Sequence, residues 1–199
     1  AEGHTVTGSD THDTETTRHL RSLGVTVYGE QAAENVPPEA VVVYSSAIRA
    51  TNPELVVAQA RGQVIWHRSE ALAFAAKEHD FVAVAGAHGK TTTSGMTAAI
   101  LREIGADPSW AIGGTISGVG AGGHLGGGPV LVAESDESDE SFLNYTPRVE
   151  IVTNVEADHL DHYGNLAAYE EAFLEFSRRL VPGGLLVVCA DDEGAAKLG

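Results

Sequence analysis

The chain is short of cysteine, of basic residues and of long apolar runs, and each shortage narrows what it can do. One cysteine, Cys189, in 199 residues leaves no internal disulfide framework and no thiolate cage for zinc. Placed in the apolar run Leu185-Leu186-Val187-Val188-Cys189, it reads as a small buried hydrophobe. Twelve Lys and Arg against 28 Asp and Glu give a formal net charge of −16, which repels nucleic acid and anionic membrane surfaces, so neither is expected as a partner. No apolar run approaches the roughly 20 residues that span a bilayer, and no signal peptide is visible. A reducing cytoplasm fits these features.

What the chain does have is alternation. Short β-branched runs at Thr5–Thr7, Val25–Tyr28, Val41–Tyr44 and Val64–Trp66 read as strands, and 13–23, 53–61 and 69–77 as helices. This βα alternation predicts a parallel sheet. Polar segments follow two of the strands, Gly8-Ser9-Asp10 and Ser45-Ser46-Ala47-Ile48, at the strand ends where open α/β sheets bind ligands. The competing reading makes Asp10 a helix cap and Ser45-Ser46 a turn. The polar stretch Lys77-Glu78-His79-Asp80 marks an expected boundary between domains 1–78 and 79–199. Both ends read as cut through an element, so a fragment of a longer protein is expected.

The second series opens on its most informative stretch. Phe81-Val82-Ala83-Val84-Ala85 leads into Gly86-Ala87-His88-Gly89-Lys90-Thr91-Thr92-Thr93, which reads as a strand, a phosphate loop and the start of a helix ending near Ile104. Backbone N–H groups around Gly86, Ala87, His88 and Gly89, with the first helical turn, form a positive concavity for phosphate. Lys90 can reach terminal phosphate oxygens, and Thr91 offers a hydroxyl to Mg²⁺. The common spacing G-x-x-x-x-G-K-[ST] would need glycine at Val84, so the loop is a shorter variant.

Downstream, Ile112-Gly113-Gly114 leads into a glycine-dense segment, 118–128, read as a mobile loop. Val130–Ala133 is then a strand, followed by five carboxylates in seven residues, Glu134 to Glu140. Glu134, at the strand's end beside a phosphate loop, stands where a nucleotide-bound Mg²⁺ needs oxygen. The strand 149–153 runs into Asn154-Val155-Glu156-Ala157-Asp158-His159-Leu160-Asp161-His162-Tyr163, read as a loop. One of its imidazoles, His159 or His162, could help hold a second hard cation or orient substrate; capping and loop hydrogen bonds are the alternative. A helix over 166–180 and a strand over 185–190 close the chain. In combination, a nucleoside triphosphate on Lys90 and Thr91, with Mg²⁺ at Glu134 and His159 as a further candidate holder, suits γ-phosphoryl transfer.

Three motifs in this order, Gly86-Ala87-His88-Gly89-Lys90-Thr91-Thr92-Thr93, Glu134-Ser135-Asp136-Glu137-Ser138-Asp139 and Asn154-Val155-Glu156-Ala157-Asp158-His159, resemble those of the Mur ligases of peptidoglycan synthesis, joined by Ser45-Ser46-Ala47-Ile48 and His67-Arg68-Ser69-Glu70. The resemblance implies a Rossmann-like UDP-binding domain followed by a P-loop α/β ATPase domain, both truncated. It also implies an ATP- and Mg²⁺-dependent ligase. In that reaction the lactyl carboxylate of UDP-N-acetylmuramate takes the γ-phosphoryl group, and the amine of L-alanine displaces phosphate. On this reading residues 86–92 hold ATP, Lys90 stabilises the transferring group, and Thr91 and Glu134 hold one Mg²⁺. His159 holds a second. Ser45, Ser46 and Ala47 lie at the UDP moiety with Asp10 nearby, and Gly113, Gly114 and Asn154 touch the sugar-lactyl end. The L-alanine pocket is expected in a further domain. Ala87 replaces a common threonine and Ser135 a common alanine. A ligase recycling a peptide onto the same sugar, or a non-catalytic UDP-sugar or nucleotide-binding module, are the other readings.

Overall fold

The computed structural model describes residues 3–114 and 122–199. The chain divides into two compact units, 1–71 and 72–199.

In the first unit, β1 (Thr7–Ser9) pairs in parallel with β2 (Thr26–Tyr28), and β3 (Val42–Tyr44) with β4 (Ile65–His67). Strand β1 lies later than the expected Thr5–Thr7. Its register sets Thr7, Gly8 and Ser9 beside Thr26, Val27 and Tyr28, so pairing, rather than local β-branching, fixes its limits. Gly8 and Ser9 thus belong to the strand, and Asp10 follows it directly. Helix α1 (Glu15–Ser22) starts on a reciprocal cap in which the Thr14 hydroxyl accepts from the Thr17 N–H and Thr17 returns the bond, satisfying two N–H groups that a helix start leaves open. Helix α2 (Pro53–Ala60) combines an Asn52 cap with proline at its first position, where the missing N–H costs nothing. Helix α3 (Arg68–Ala76) runs across the division between the units.

The second unit holds a six-stranded sheet. Its members are β5 (Asp80–Ala85), β6 (Ser109–Ala111), β7 (Gly123–His124), β8 (Val130–Glu134), β9 (Val149–Val152) and β10 (Leu185–Val188), ordered β10-β9-β5-β8-β6-β7 and parallel except for β7. Strand β5 is central and all but its first residue are buried, the signature of a strand covered on both faces. Its odd residues Phe81, Ala83 and Ala85 join Leu131, Ala133, Phe142, Tyr169, Phe173 and Phe176 in one core. The even residues Val82 and Val84 pack with Val132, Ala98, Trp110 and Ile112 in a second. Helix α4 (Lys90–Glu103) thus covers one face and α6 (Leu166–Ser177) the other.

Several expectations change here. The glycine-dense segment was expected to be mobile; its part at 118–121 lies outside the described residues, while Gly123–His124 forms β7 against the unforeseen β6, with the His124 and Trp110 rings stacked 4.1 Å apart. Beyond it, the N–H groups of Gly126, Gly127 and Gly128 donate to Ser109 Oγ, Asp107 Oδ2 and the Asp107 carbonyl. A Cβ on Gly128 would collide with the Ala106 carbonyl oxygen, so these glycines permit close backbone approach. The His/Asp segment contains a short helix, α5 (Leu160–Tyr163), preceded by His159 at φ 49°. Cys189 is exposed, because β10 is a sheet edge and the chain leaves it at Val188. Helix α7 (Glu193–Ala196) begins on Asp192, whose carboxylate accepts from the Ala195 N–H at 2.7 Å. Among the described residues no helix is long and apolar enough to cross a membrane.

Candidate functional site

The sheet order places β5 between β8 and β9, and the chain turns to opposite sides after β5, making its C-terminal end a topological switch point. Ligands of open α/β sheets bind at such a point. The loop 86–89 occupies it. Gly86 has φ 133°, and a Cβ there would collide with Thr153 Oγ1. Gly89 at φ 81° turns the chain into α4, which starts at Lys90. Only glycine takes these backbone conformations cheaply.

The end of β9 braces the loop. Thr153 Oγ1 donates to the His88 carbonyl at 2.6 Å. The Asn154 side chain holds His88 from both sides, accepting its N–H at 2.9 Å and donating to its carbonyl at 3.1 Å, and the Asn154 carbonyl accepts from the Ala87 N–H. The Ala87 and His88 amides, expected to face phosphate, are therefore engaged with Asn154. The first turn of α4, Lys90 to Thr92, presents N–H groups with no intrahelical acceptor, at the positive end of a 14-residue helix.

Lys90 Nζ donates to the Gly86 carbonyl at 2.7 Å and to Glu137 Oε1 at 2.9 Å, and it lies 2.9 Å from Oε2 as well. Glu137 is fully buried. Burial pushes its carboxyl above the ordinary value, while the Lys90 hydrogen bond and charge pull it back only in part. His159 Nε2 lies 3.7 Å from Glu137 Oε1 and 3.7 Å from Asp158 Oδ2. The structure thus gathers Lys90 and His159 around one carboxylate that the sequence did not single out.

Glu134 ends β8. Its Oε2 accepts from the Gly113 N–H at 2.7 Å, while Oε1 is buried with no hydrogen-bond partner. Gly114 lies against the Thr91 side chain, whose Cγ2 would be 3.3 Å from an added Cβ, so Gly113, Gly114, Thr91 and Glu134 form one cluster. An orphaned carboxylate oxygen in a cluster that includes a threonine fits a hard divalent cation that takes its other ligands from phosphate and water. Among the described residues no group of three His, Cys, Asp or Glu is arranged to hold a metal by protein atoms alone.

The first unit has a separate cavity of about 380 Å³ lined by Asp10, Tyr28, Asn35, Ser45 and Glu54, among others. Glu54 accepts from Ser9 Oγ at 2.7 Å and from Asn35 Nδ2 at 3.0 Å, fixing one wall. Asp10 and Ser45 meet there. Ser46 instead bonds His67 Nε2 at 3.1 Å, and Ala47 lines a neighbouring depression with Arg49 and Pro53. The sequence missed Asn35 and Glu54, whose polar wall is made by contacts 19 and 45 residues apart, and it missed Thr153, a β-branched residue indistinguishable from strand.

These features define an α/β protein with a glycine-turned, lysine-bearing loop at the switch point of a mainly parallel sheet. Residues 1–80 match the model of the Mur ligase family catalytic domain, and residues 84–198 that of the Mur ligase middle domain. The chain belongs to the Mur ligase family. It is 51% identical to the UDP-N-acetylmuramate–L-alanine ligase of Renibacterium salmoninarum, over all of this chain and 43% of that protein. The crystal structure of the UDP-N-acetylmuramate–alanine ligase of Thermotoga maritima aligns at TM-score 0.83 and 36% identity, covering 98% of this chain and 45% of that one. The UDP-N-acetylmuramate:L-alanyl-γ-D-glutamyl-meso-diaminopimelate ligase of Neisseria meningitides also aligns at TM-score 0.83, with 25% identity, over 97% and 66%. The chain spans less than half the length of the curated relatives it matches.

Proposed function

We propose that the chain is the UDP- and ATP-binding portion of an ATP-dependent ligase that joins L-alanine to UDP-N-acetylmuramate in cytoplasmic peptidoglycan precursor synthesis. The observation that carries this reading is the cluster at the end of β5: a glycine-turned loop, Lys90, and Glu134 with an unpartnered buried oxygen. The loop with the first turn of α4 binds the triphosphate, and Lys90 neutralises charge on the γ-phosphoryl group as it passes to the lactyl carboxylate. The amine of L-alanine then displaces phosphate from the acyl phosphate. Mg²⁺ held by Thr91 and Glu134, with a second ion near His159, would supply charge neutralisation and alignment. Asn154 and Thr153 keep the loop in shape. Asp10 and Ser45, in the first unit's cavity, bind the UDP moiety, with Ser46 and Ala47 on its flank, and the sugar-lactyl end approaches Gly113 and Gly114. Contacts to L-alanine fall in the additional length of the relatives.

The L-alanine reading is favoured by 51% identity to a ligase of that name, against 25% to the peptide-adding neighbour. The deciding assay follows ADP release with UDP-N-acetylmuramate by the ligase at its relatives' full length, offering L-alanine or the tripeptide. Release with L-alanine supports the proposal. Release with the tripeptide alone would replace it with the recycling reaction, and tight UDP-sugar binding without release would leave a binding module.

A further inference from the structure

Glu137 lies among four other carboxylates in seven residues, yet it alone of the five is fully buried and paired with the lysine of the loop. Its backbone is held from three directions. The Tyr163 hydroxyl donates to its carbonyl, the Glu140 N–H donates to the same carbonyl at 3.2 Å, and the preceding Asp136 closes a turn by accepting from the Ser138 N–H and hydroxyl. A carboxylate fixed this way is not a solvated surface charge that happens to meet a lysine.

The lysine is committed in turn. An ammonium has three hydrogens to donate. Lys90 directs them at the Gly86 carbonyl at 2.7 Å, the Ala87 carbonyl at 3.4 Å and Glu137. All three acceptors belong to the protein, so an arriving phosphate has to draw the ammonium away from them. Once drawn away, Glu137 is a buried anion deprived of its nearest positive charge, an arrangement far costlier than the closed pair. Weak or singly charged anions cannot offset that cost; a polyphosphate brings enough charge to do so.

We propose that Glu137 is a positioning residue that holds Lys90 withdrawn onto its own loop, so that only a polyphosphate ligand draws the ammonium into the binding site. The proposal rests on the reading of residues 86–92 as a triphosphate loop. It assigns Glu137 a negative contribution to the affinity of every phosphate ligand that engages Lys90, which a residue that merely fills space in the fold would not show.

The test is calorimetric titration of Mg-ATP and of pyrophosphate into the 199-residue chain as wild type, Glu137→Gln, Lys90→Ala and the double variant. Loss of one competing charge corresponds to roughly tenfold in affinity, so Glu137→Gln is expected to bind Mg-ATP and pyrophosphate, both of which draw on Lys90, each about tenfold more tightly. In the Lys90→Ala background the same substitution should change neither affinity. An unchanged or weakened affinity in folded Glu137→Gln, with Mg-ATP still binding the wild type, would overturn the proposal and leave the triphosphate reading standing. No Mg-ATP binding by the wild type would remove both. Should Glu137→Gln fail to fold, the Lys90 ammonium resonance in the wild type decides by NMR. A signal protected from water exchange in the free chain, shifting when pyrophosphate is added, supports the clasp. A signal already lost to exchange in the free chain overturns it.

Discussion

Glu150 offers a perturbation whose size can be worked from the structure. It sits in β9 with Ala83 of β5 on one side and Leu186 of β10 on the other. By strand alternation it shares a face with Val152, which belongs to the aromatic core. It is fully buried, and neither carboxylate oxygen has a hydrogen-bond partner. Burial alone pushes its pKa from 4.5 to about 8. Between those values the folded chain holds one proton more than the unfolded chain, so stability must fall as pH rises. The slope approaches about 1.4 kcal/mol per pH unit, and from pH 5 to pH 8 the loss is about 3 kcal/mol. Glu150→Gln removes the titration while keeping a polar group, so its stability lacks this slope. Glu150→Leu removes both and is expected to stabilise the second unit at pH 7.5 by about 2 to 4 kcal/mol. The assay is urea unfolding across pH 5 to 8, with hydrogen exchange at the Ile151 and Val152 amides locating the effect in β9. Taking wild type minus Glu150→Gln cancels the histidines and other carboxylates. A flat or rising difference over that range would refute the reasoning, because it would mean that Glu150 has a charge partner in solution.

Three further outcomes follow from the site. Gly86→Ala places a Cβ against Thr153 Oγ1 at φ 133°; it should destabilise the second unit by about 1 to 3 kcal/mol and abolish Mg-ATP binding, and a variant that binds normally would show that the loop backbone does not need glycine there. Asp192→Ala removes the acceptor of both the Ala195 and Val155 N–H groups; a loss of about 1 to 3 kcal/mol is expected by urea unfolding, and a loss below about 0.5 kcal/mol would reduce this carboxylate to an ordinary surface group. Glu134→Gln can still accept from the Gly113 N–H but loses its charge; the Mg²⁺ concentration needed for half-maximal ATP binding should rise about tenfold with Mg-free ADP binding unchanged, and an unaltered Mg²⁺ requirement would take Glu134 out of the metal site.

The sequence made legible what is local. Strand β5, its glycine turn and α4 were readable because an apolar run, two glycines and a helix start occupy adjacent positions, and Glu134 because it ends the next recognisable strand. What stayed hidden depends on distant partners. Nothing in Glu134-Ser135-Asp136-Glu137-Ser138-Asp139-Glu140 says which carboxylate turns inward; that is decided by Lys90, 47 residues earlier, and by Tyr163, 26 residues later. Strand β6 has three residues, and its partner β7 has two, Gly123 and His124, too few to show a side-chain pattern. Cys189 looked buried because it continues an apolar run, and only the sheet order reveals that the run forms an edge. The position of β1 was likewise set by its partner strand.

The central claim is that Lys90 at the end of β5 binds the phosphates of a nucleotide. Calorimetric titration of Mg-ATP into the wild-type chain and into Lys90→Ala tests it most directly. A charge-assisted hydrogen bond contributes about 1.5 to 3 kcal/mol, so Lys90→Ala should bind about 10- to 100-fold more weakly. Indistinguishable affinities in two folded proteins would contradict the account and remove the loop from the site.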